Sequence, residues 1–189
     1  GVRHLQFIAC LDSLEGERGA QPWALTPEAY GKFLCGLFDV YYRDWVNGDY
    51  TSVRLFDDYI HMAMGMPAGT CATSGSCGAY FVVEGDGTVY PCDFYCLDEW
   101  KMGRIGEQSI PELANSEKAR LFLQQGERKP DACADCRWYS LCHGGCKRDW
   151  VENDGKLENY SCLAFKEFFA YAEIRILEIA RAEAEYYRR

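Results

Sequence analysis

The stretch from Cys133 to Cys146, CADCRWYSLCHGGC, holds four cysteines in the order C-x2-C-x5-C-x3-C. A C-x2-C pair lets two sulfurs converge on one metal ion or on one edge of a cluster. Thiolates select zinc or iron–sulfur centres, whereas hard cations prefer oxygen ligands. The stretch therefore predicts a thiolate-bound metal centre.

Four further cysteines extend this pattern on both sides. Cys77, Gly87 and Cys92 follow the order C-x9-G-x4-C, and Cys71 precedes them while Cys162 lies beyond the stretch. Eight thiolates are enough for two four-cysteine centres. We expect the remaining three cysteines to be unligated: Cys10, Cys35 and Cys96.

Composition narrows the class of protein. The chain has 189 residues, 48% of them hydrophobic, which is enough to bury a core. A formal net charge of −9 argues against a nucleic-acid partner. We see no apolar run of about 18 residues and no leader peptide, so no membrane partner is indicated. An odd number of cysteines in metal-typical pairs favours a reducing compartment over a disulfide framework, and we expect a cytoplasmic protein.

The first half reads as a β/α unit. Gly1 to Cys10 resembles a strand, and a lone strand cannot satisfy its backbone hydrogen bonds, so we expect a fragment whose missing N-terminal part supplies neighbouring strands. Thr26 as N-cap and Pro27 at the first helical position predict a long amphipathic helix. A shorter helix is predicted within Ser52 to Met66.

The second half reads as short elements and one long helix. Ala79 to Val83 and Thr88 to Tyr90 predict a hairpin around a Gly-rich turn, which brings Cys77 and Cys92 to the same end. Two short helices are predicted at Ser109 to Leu113 and at Ser116 to Leu123. Apolar residues at helical spacing predict a closing helix from Cys162 to Arg189.

The cysteine order with Gly87 resembles the SPASM domain of radical SAM peptide-modifying enzymes. Three sequence segments resemble, more narrowly, the anaerobic sulfatase-maturating enzymes: LQFIACLD, PCDFYCLDEW and CRWYSLCHGGCKRD. The resemblance implies an α+β fold with the last β/α portion of a radical SAM partial barrel at residues 1–66. A SPASM domain with two auxiliary clusters would follow at 67–163, and a C-terminal amphipathic helix at 164–189.

The resemblance also implies two interleaved ligand sets for auxiliary [4Fe-4S] clusters. The first set would be Cys71, Cys77, Cys92 and Cys146. The second would be Cys133, Cys136, Cys142 and Cys162. Zinc is a possible substitute, because C-x2-C pairs also occur in zinc ribbons.

One motif of the resembling family is absent from this chain. No cysteine trio follows C-x3-C-x2-C, the motif that binds the radical-generating cluster. S-adenosyl-L-methionine and a third [4Fe-4S] cluster are therefore expected in the missing N-terminal part, and this fragment should be inactive alone. Leu11, just beyond the first strand, is a candidate to touch the adenine.

Asp93 is the candidate catalytic residue. It follows Cys92 directly, and strand alternation would turn Cys92 to the cluster and Asp93 to a cavity. In the resembling family the matching Asp deprotonates a cysteine or serine as the 5'-deoxyadenosyl radical removes a Cβ hydrogen. The auxiliary cluster would accept an electron, and the product would be Cα-formylglycine. The plain alternative is that Asp93 only caps a turn.

The implied partners are an unfolded sulfatase peptide and a flavodoxin or ferredoxin reductant. Two other functions stay open. Another SPASM maturase would keep the clusters but install thioether or carbon crosslinks, and a zinc-stabilised binding module would perform no redox chemistry. Tyr95 and Trp100 either line the Asp93 cavity or pack the domain, and we expect His143 to be a loop residue rather than a ligand.

Overall fold

A parallel strand pair and two helices form the first part of the fold. The computed structural model describes residues 1–10 and 12–187, and Leu11, the predicted adenine contact, lies outside them. Strand β1 (His4–Leu5) pairs in parallel with β2 (Ser52–Val53), and helix α1 (Pro27–Val46) connects them. Parallel strands need such a crossover connection, so the predicted β/α unit is present.

The bounds of these elements differ from the prediction in two places. The first strand is limited to two residues rather than ten, because β2 is its neighbour in the described sheet and pairs with it over only two positions. Ser52 and Val53, which we assigned to the second helix, extend this sheet instead, and helix α2 follows at Arg54–Ala63. Thr26 caps α1 as expected, since its Oγ1 accepts a hydrogen bond from the Ala29 N–H at 3.2 Å.

The main hydrophobic core lies where helix α7 (Cys162–Tyr186) crosses α1 and α2. Phe168 is at its centre, fully buried against Phe38 and Phe56 at ring-centroid distances of 5.5 and 5.4 Å. The remaining buried side chains of this core are Leu34, Tyr41, Val53, Tyr59, Ile60, Phe169, Ala172, Ile176, Ile179 and Ala180. The apolar spacing that predicted a long closing helix therefore marks the face that it buries.

The predicted hairpin is present and carries a third strand. Strand β3 (Val82–Val83) pairs antiparallel with β4 (Thr88–Tyr90), and β5 (Gly103–Arg104) adds to the other edge of β4. Gly87 has a φ of +87° in the connecting turn, a conformation that favours glycine. The sequence signal for β5 was too short to recognise.

Short helices fill the rest of the cysteine-rich part: α3 (Cys71–Ser74), α4 (Ile110–Ala114), α5 (Glu117–Glu127) and α6 (Tyr139–Cys142). Ser109 and Ser116 cap α4 and α5, as predicted, and α5 is one turn longer than expected. A smaller core of Val89, Met102, Leu113 and Ala119 lies between these helices and the three-stranded sheet.

Strands β6 (Trp150–Asn153) and β7 (Lys156–Asn159) form a second hairpin that we did not predict. Its turn contains Asp154 and Gly155, both at positive φ, and an Asp-Gly pair is a hairpin signal that we overlooked. The mixed helices and small sheets confirm the α+β class. None of the helices in residues 1–10 and 12–187 is both long and apolar enough to cross a membrane.

Candidate functional site

A cavity of about 750 Å³ lies between the first part of the fold and the cysteine-rich part. Phe7, Leu55 and Tyr59 line it from the first part, and Asp93 lines it from the cysteine-rich part. Three of the candidate ligands also reach its wall: Cys71, Cys142 and Cys146. The cavity therefore brings the candidate base and members of both cysteine sets to one space.

Asp93 opens into this cavity, but not by the strand alternation that we expected. Cys92 has extended backbone angles, and a 3-10 helix begins at Asp93 and ends at Tyr95. Because the chain turns at this point, the two side chains lie side by side, with Cys92 Sγ 3.3 Å from Asp93 Oδ1. The Asp93 side chain is exposed, and the one hydrogen bond that its carboxylate accepts in the described part of the chain comes from this thiol.

Cys71, Cys77, Cys92 and Cys146 influence one another electrostatically. Burial is the main cause that raises the pKa of Cys146 to about 12, and the charges of Cys71 and Cys77 add to it. Burial likewise raises the pKa of Cys92 to about 12, with a contribution from Cys71. Cys71 begins α3, Cys77 and Cys92 flank the hairpin, and Cys146 follows α6, so three separate elements carry these thiols.

The other four cysteines form a second group of the same kind. The pKa of Cys142 is raised to about 12, mainly by burial and also by the charges of Cys133, Cys162 and Cys136. The pKa of Cys133 is raised by burial and then by the charges of Cys162 and Cys136. Cys142 ends α6 and Cys162 begins α7. The long core helix therefore starts at this second group.

The two groups contain the same cysteines as the ligand sets implied by the resemblance, and the ligand roles themselves stay predictions. The thiols fit a thiolate-bound cluster in type and number. Among the described residues, no three His, Cys, Asp or Glu side chains converge closely enough to hold a single metal ion.

Cysteines outside both groups have other surroundings. Cys35 lies in α1 and packs against the main core, as a small hydrophobe would. Cys10 is exposed. Cys96 Sγ lies 3.7 Å from the Cys92 carbonyl oxygen and donates weakly to it.

Asp58 anchors the segment that carries Cys71, a role that our sequence reasoning missed. Its buried carboxylate accepts hydrogen bonds from the Gly69 N–H and from the hydroxyls of Thr70 and Thr73. Thr70 in turn caps α3, whose first residue is Cys71. Because Asp58 belongs to α2, it ties the first part of the fold to the first group of cysteines.

The loop from Cys142 to Cys146 joins the two groups. His143, Gly144 and Gly145 all have positive φ, so the chain makes a tight left-handed turn. His143 Nδ1 lies 2.7 Å from the carbonyl oxygen of Thr73, which makes His143 a structural loop residue here. The Gly144 carbonyl oxygen accepts hydrogen bonds from Trp150 Nε1 and Asn159 Nδ2, both at 2.8 Å, and β6 and β7 thereby hold the loop.

Two arginines close one side of the cavity. Arg148 and Arg18 both donate to the Asp12 carbonyl oxygen, and Arg18 also donates to the Arg148 carbonyl oxygen. Burial, followed by the charge of Arg18, lowers the pKa of the Arg148 guanidinium. Asp12 and Asp149 line the same cavity, and Arg148 Nη1 lies 3.7 Å from Asp149 Oδ1, so both guanidinium groups are held by partners within the chain.

Comparison with known proteins agrees with this arrangement. Residues 75–137 match the SPASM family, described as an iron–sulfur cluster-binding domain. The chain is 41% identical over 180 residues to a cysteine-type anaerobic sulfatase-maturating enzyme of Clostridium perfringens, covering 94% of this chain and 49% of that protein. It is 31% identical to a serine-type enzyme of Bacteroides thetaiotaomicron, covering 89% of this chain and 40% of that protein.

The solved structure described as native anSMEcpe with bound AdoMet and Kp18Cys peptide superposes with a TM-score of 0.89 at 42% identity. The match covers 95% of this chain and 50% of that one. The chain belongs to the family of anaerobic sulfatase-maturating enzymes. It spans about half the length of the curated members that it matches.

Two packing features of this family member were absent from our sequence reasoning. Gly126 in α5 lies against Cys77, and a Cβ at this position would come within 2.7 Å of Cys77 Cβ. Gly126 lies beyond Leu123, where we predicted that this helix ends, so no helical context in the sequence indicated this close approach.

The second feature is a buried lysine, Lys147, among aromatic rings. Tyr95, Trp100 and Phe122 pack edge to face at centroid distances of 5.1 to 5.7 Å, and the Lys147 ammonium lies over all three. Tyr95 and Trp100 therefore pack the domain, which is the second of the two roles that we predicted for them. Burial lowers the pKa of Lys147 to about 8, and the charges of nearby thiols oppose this shift.

Proposed function

We propose that the protein containing this chain oxidises a cysteine or serine of a sulfatase to Cα-formylglycine, with Asp93 as the base. The observation that carries this proposal is the exposed Asp93 carboxylate in a cavity whose walls also include Cys71 and Cys146. The sulfatase-maturating names of the relatives support the reaction class. The higher identity to cysteine-type relatives favours cysteine as the target.

The two groups of thiols would each hold an auxiliary [4Fe-4S] cluster. A cluster bound by Cys71, Cys77, Cys92 and Cys146 supplies a one-electron acceptor beside the cavity. S-adenosyl-L-methionine and a third cluster are proposed for residues outside this chain, since no C-x3-C-x2-C motif occurs within it. A flavodoxin or ferredoxin is the proposed reductant.

Asp93 would take the proton of the substrate thiol or hydroxyl. Its Oδ1 lies 3.3 Å from Cys92 Sγ, so a substrate bound at the Asp93 carboxylate would lie beside the proposed cluster ligand. A ligating Cys92 would be a thiolate with no proton to donate, which would leave the carboxylate as an acceptor for the substrate.

An unfolded sulfatase peptide is the proposed occupant of the cavity. Phe7, Leu55 and Phe94 offer apolar wall, and the exposed Asp93 carboxylate offers a hydrogen-bond acceptor. One related solved structure contains a bound peptide, by its description. An extended segment exposes backbone N–H groups and side chains that such a wall can bind.

The base is tested with Asp93→Asn in the intact protein under anaerobic conditions. We expect 5'-deoxyadenosine to be formed while formylglycine formation falls by about 10²-fold or more, the usual contribution of a general base. Asp98→Asn is the matched control, because Asp98 lies five residues away with a side chain that is 92% exposed. Undiminished formylglycine in Asp93→Asn would contradict the assignment.

The ligand sets are tested by iron, sulfide and zinc analysis of the anaerobically reconstituted chain. We expect about eight iron and eight sulfide per chain, falling by about half in Cys146→Ala and likewise in Cys162→Ala. Cys35→Ala should keep the full content, because Cys35 lies in the main core. Two zinc ions with no bound sulfide would support the binding module instead.

A further inference from the structure

Lys147 is buried although it is not part of an ion pair in the described part of the chain. Only 7% of its surface is exposed, and it follows Cys146 directly. Lysine is rarely buried to this degree unless its charge is compensated. The surroundings of the ammonium group therefore need an explanation.

The ammonium group lies in a cage of π faces and two carbonyl oxygens, those of the Phe122 backbone and, at 3.5 Å, of the Gln125 side chain. Nζ is 3.6 Å from the ring centroid of Phe122, 4.8 Å from that of Tyr95 and 5.1 Å from that of Trp100. It donates a hydrogen bond to the Phe122 carbonyl oxygen at 3.0 Å. Aromatic faces and carbonyl oxygens both favour a cation and therefore offset part of the cost of burying the charge, although burial still lowers the pKa of Lys147 to about 8.

The cage faces the first group of cysteines and not the second. Lys147 follows Cys146 directly, its cage contains Tyr95 three residues beyond Cys92, and α5, which carries Phe122, lies against Cys77 at Gly126. The charges of Cys77, Cys92 and Cys146 accordingly act on Lys147. Lys129 and Lys166 also lie near thiols, but Lys129 acts on both groups and Lys166 acts on Cys133 and Cys162 of the second.

We propose that the caged Lys147 ammonium raises the reduction potential of the cluster held by Cys71, Cys77, Cys92 and Cys146. This inference rests on the proposed function, since it requires a cluster at that site. Reduction adds one negative charge to a thiolate-bound cluster, and a fixed cation nearby stabilises the reduced form. In a water-poor environment this interaction is screened only weakly. Lys147 thereby makes the site a better acceptor of the substrate's electron without touching the substrate.

The test is a spectroscopic redox titration of the intact, anaerobically reconstituted protein. Lys147→Met removes the charge and keeps a flexible chain of similar length among the rings. We expect one of the measured potentials to fall and the others to stay, with about a tenfold loss in the reduction equilibrium, which corresponds to about 59 mV for one electron. Lys147→Arg should keep a potential close to that of the unchanged protein.

Two further variants make the result decisive. Lys147→Gln is also neutral but can still donate to the Phe122 carbonyl oxygen, so it should lower the same potential even if Lys147→Met disturbs packing. Lys156→Met removes an exposed lysine of β7 and should leave every potential unchanged.

The outcomes separate this inference from the proposed function. A full iron and sulfide content with unchanged potentials in both neutral variants would overturn the role of Lys147 and leave the clusters intact. Loss of the cluster from both neutral variants would also overturn it, because Lys147 would then hold the fold rather than set a potential. Absence of iron and sulfide at this site in the unchanged protein would defeat the proposed function itself.

Discussion

Two adjacent carboxylates on α2 serve different parts of the molecule. Asp57 accepts hydrogen bonds from Tyr41 and Tyr50 at 2.8 and 2.7 Å and from Ser52 at 2.5 Å, all within the first part of the fold. Asp58 accepts instead from the segment that leads into Cys71. Of these two consecutive residues, Asp57 thus stabilises the first part of the fold, and Asp58 supports the segment that carries a candidate ligand.

We expect Asp58→Ala to lower the free energy of unfolding by about 1–3 kcal/mol, because it leaves buried donors without an acceptor. It should also reduce iron at the first site, since the Cys71 segment loses its anchor. Chemical denaturation and iron analysis provide the two measurements. Asp57→Ala is the matched control and should destabilise the fold while iron content is retained. Equal iron in the two variants would argue against the anchoring role of Asp58.

At the scale of the element, α5 supports the first group of cysteines through Gly126. The helix passes so close to Cys77 that a methyl group has no space there. Gly126 is the last residue but one of α5, and helix propensity alone would favour alanine over glycine within a helix by about 0.5–1 kcal/mol. The close approach therefore outweighs the propensity.

Gly126→Ala should displace Cys77 and lower the iron content of the first site, with the second site unaffected. Gly36→Ala is the control, because Gly36 lies inside α1 and a Cβ there meets no atom within 4 Å. We expect Gly36→Ala to leave iron unchanged and to raise the unfolding free energy slightly. Iron and sulfide analysis of both proteins checks this, and a normal first site in Gly126→Ala would show that α5 can move away.

Helix α7 contributes to the fold mainly through one face. Phe168→Ala should lower the free energy of unfolding by about 3–5 kcal/mol, since it opens a cavity among fully buried rings. Ile174→Ala, on the same helix but 80% exposed, should change it by less than about 0.5 kcal/mol. Denaturant titrations of both variants give the measurement, and similar values for the two would contradict the observed face of α7.

At the scale of the whole molecule, the two parts of the fold differ in what stabilises them. The core between α1, α2 and α7 buries thirteen side chains, nearly all of them apolar. The cysteine-rich part has a small core of four residues, strands of two to four residues and mostly short helices. Such short elements bury little apolar surface, so we expect the proposed clusters to supply much of their stability.

Removal of iron by a chelator should therefore affect the two parts unequally. We expect backbone amides of residues 77–146 to exchange hydrogen much faster, while those of α1 and the middle of α7 stay protected. Hydrogen exchange followed by mass spectrometry, before and after chelation, provides the comparison. Uniform loss of protection over both parts would mean that the fold depends on the centres as one unit.

Several elements of the fold could be predicted from short runs of consecutive residues. Thr26 and Pro27 predicted the start of α1, Ser109 and Ser116 the caps of two short helices, and Gly87 the turn of the first hairpin. Each of these signals acts within a few residues of chain, where local hydrogen bonding and backbone sterics decide. Strands of two residues, such as β5, offer no periodicity to recognise.

The order of the cysteines determined the class of centre, and the surrounding words indicated the family, because thiolate chemistry and motif spacing are properties of the chain itself. The family resemblance implied that Cys146 joins Cys71 and Cys77, and in the structure the charges of these two thiols act on Cys146. Only the tertiary structure decided that a 3-10 helix sets Asp93 beside Cys92 and that Lys147 lies in an aromatic cage. These convergences join residues up to 75 positions apart. They depend on how helices and hairpins pack over one another, and no local pattern of residues encodes that packing.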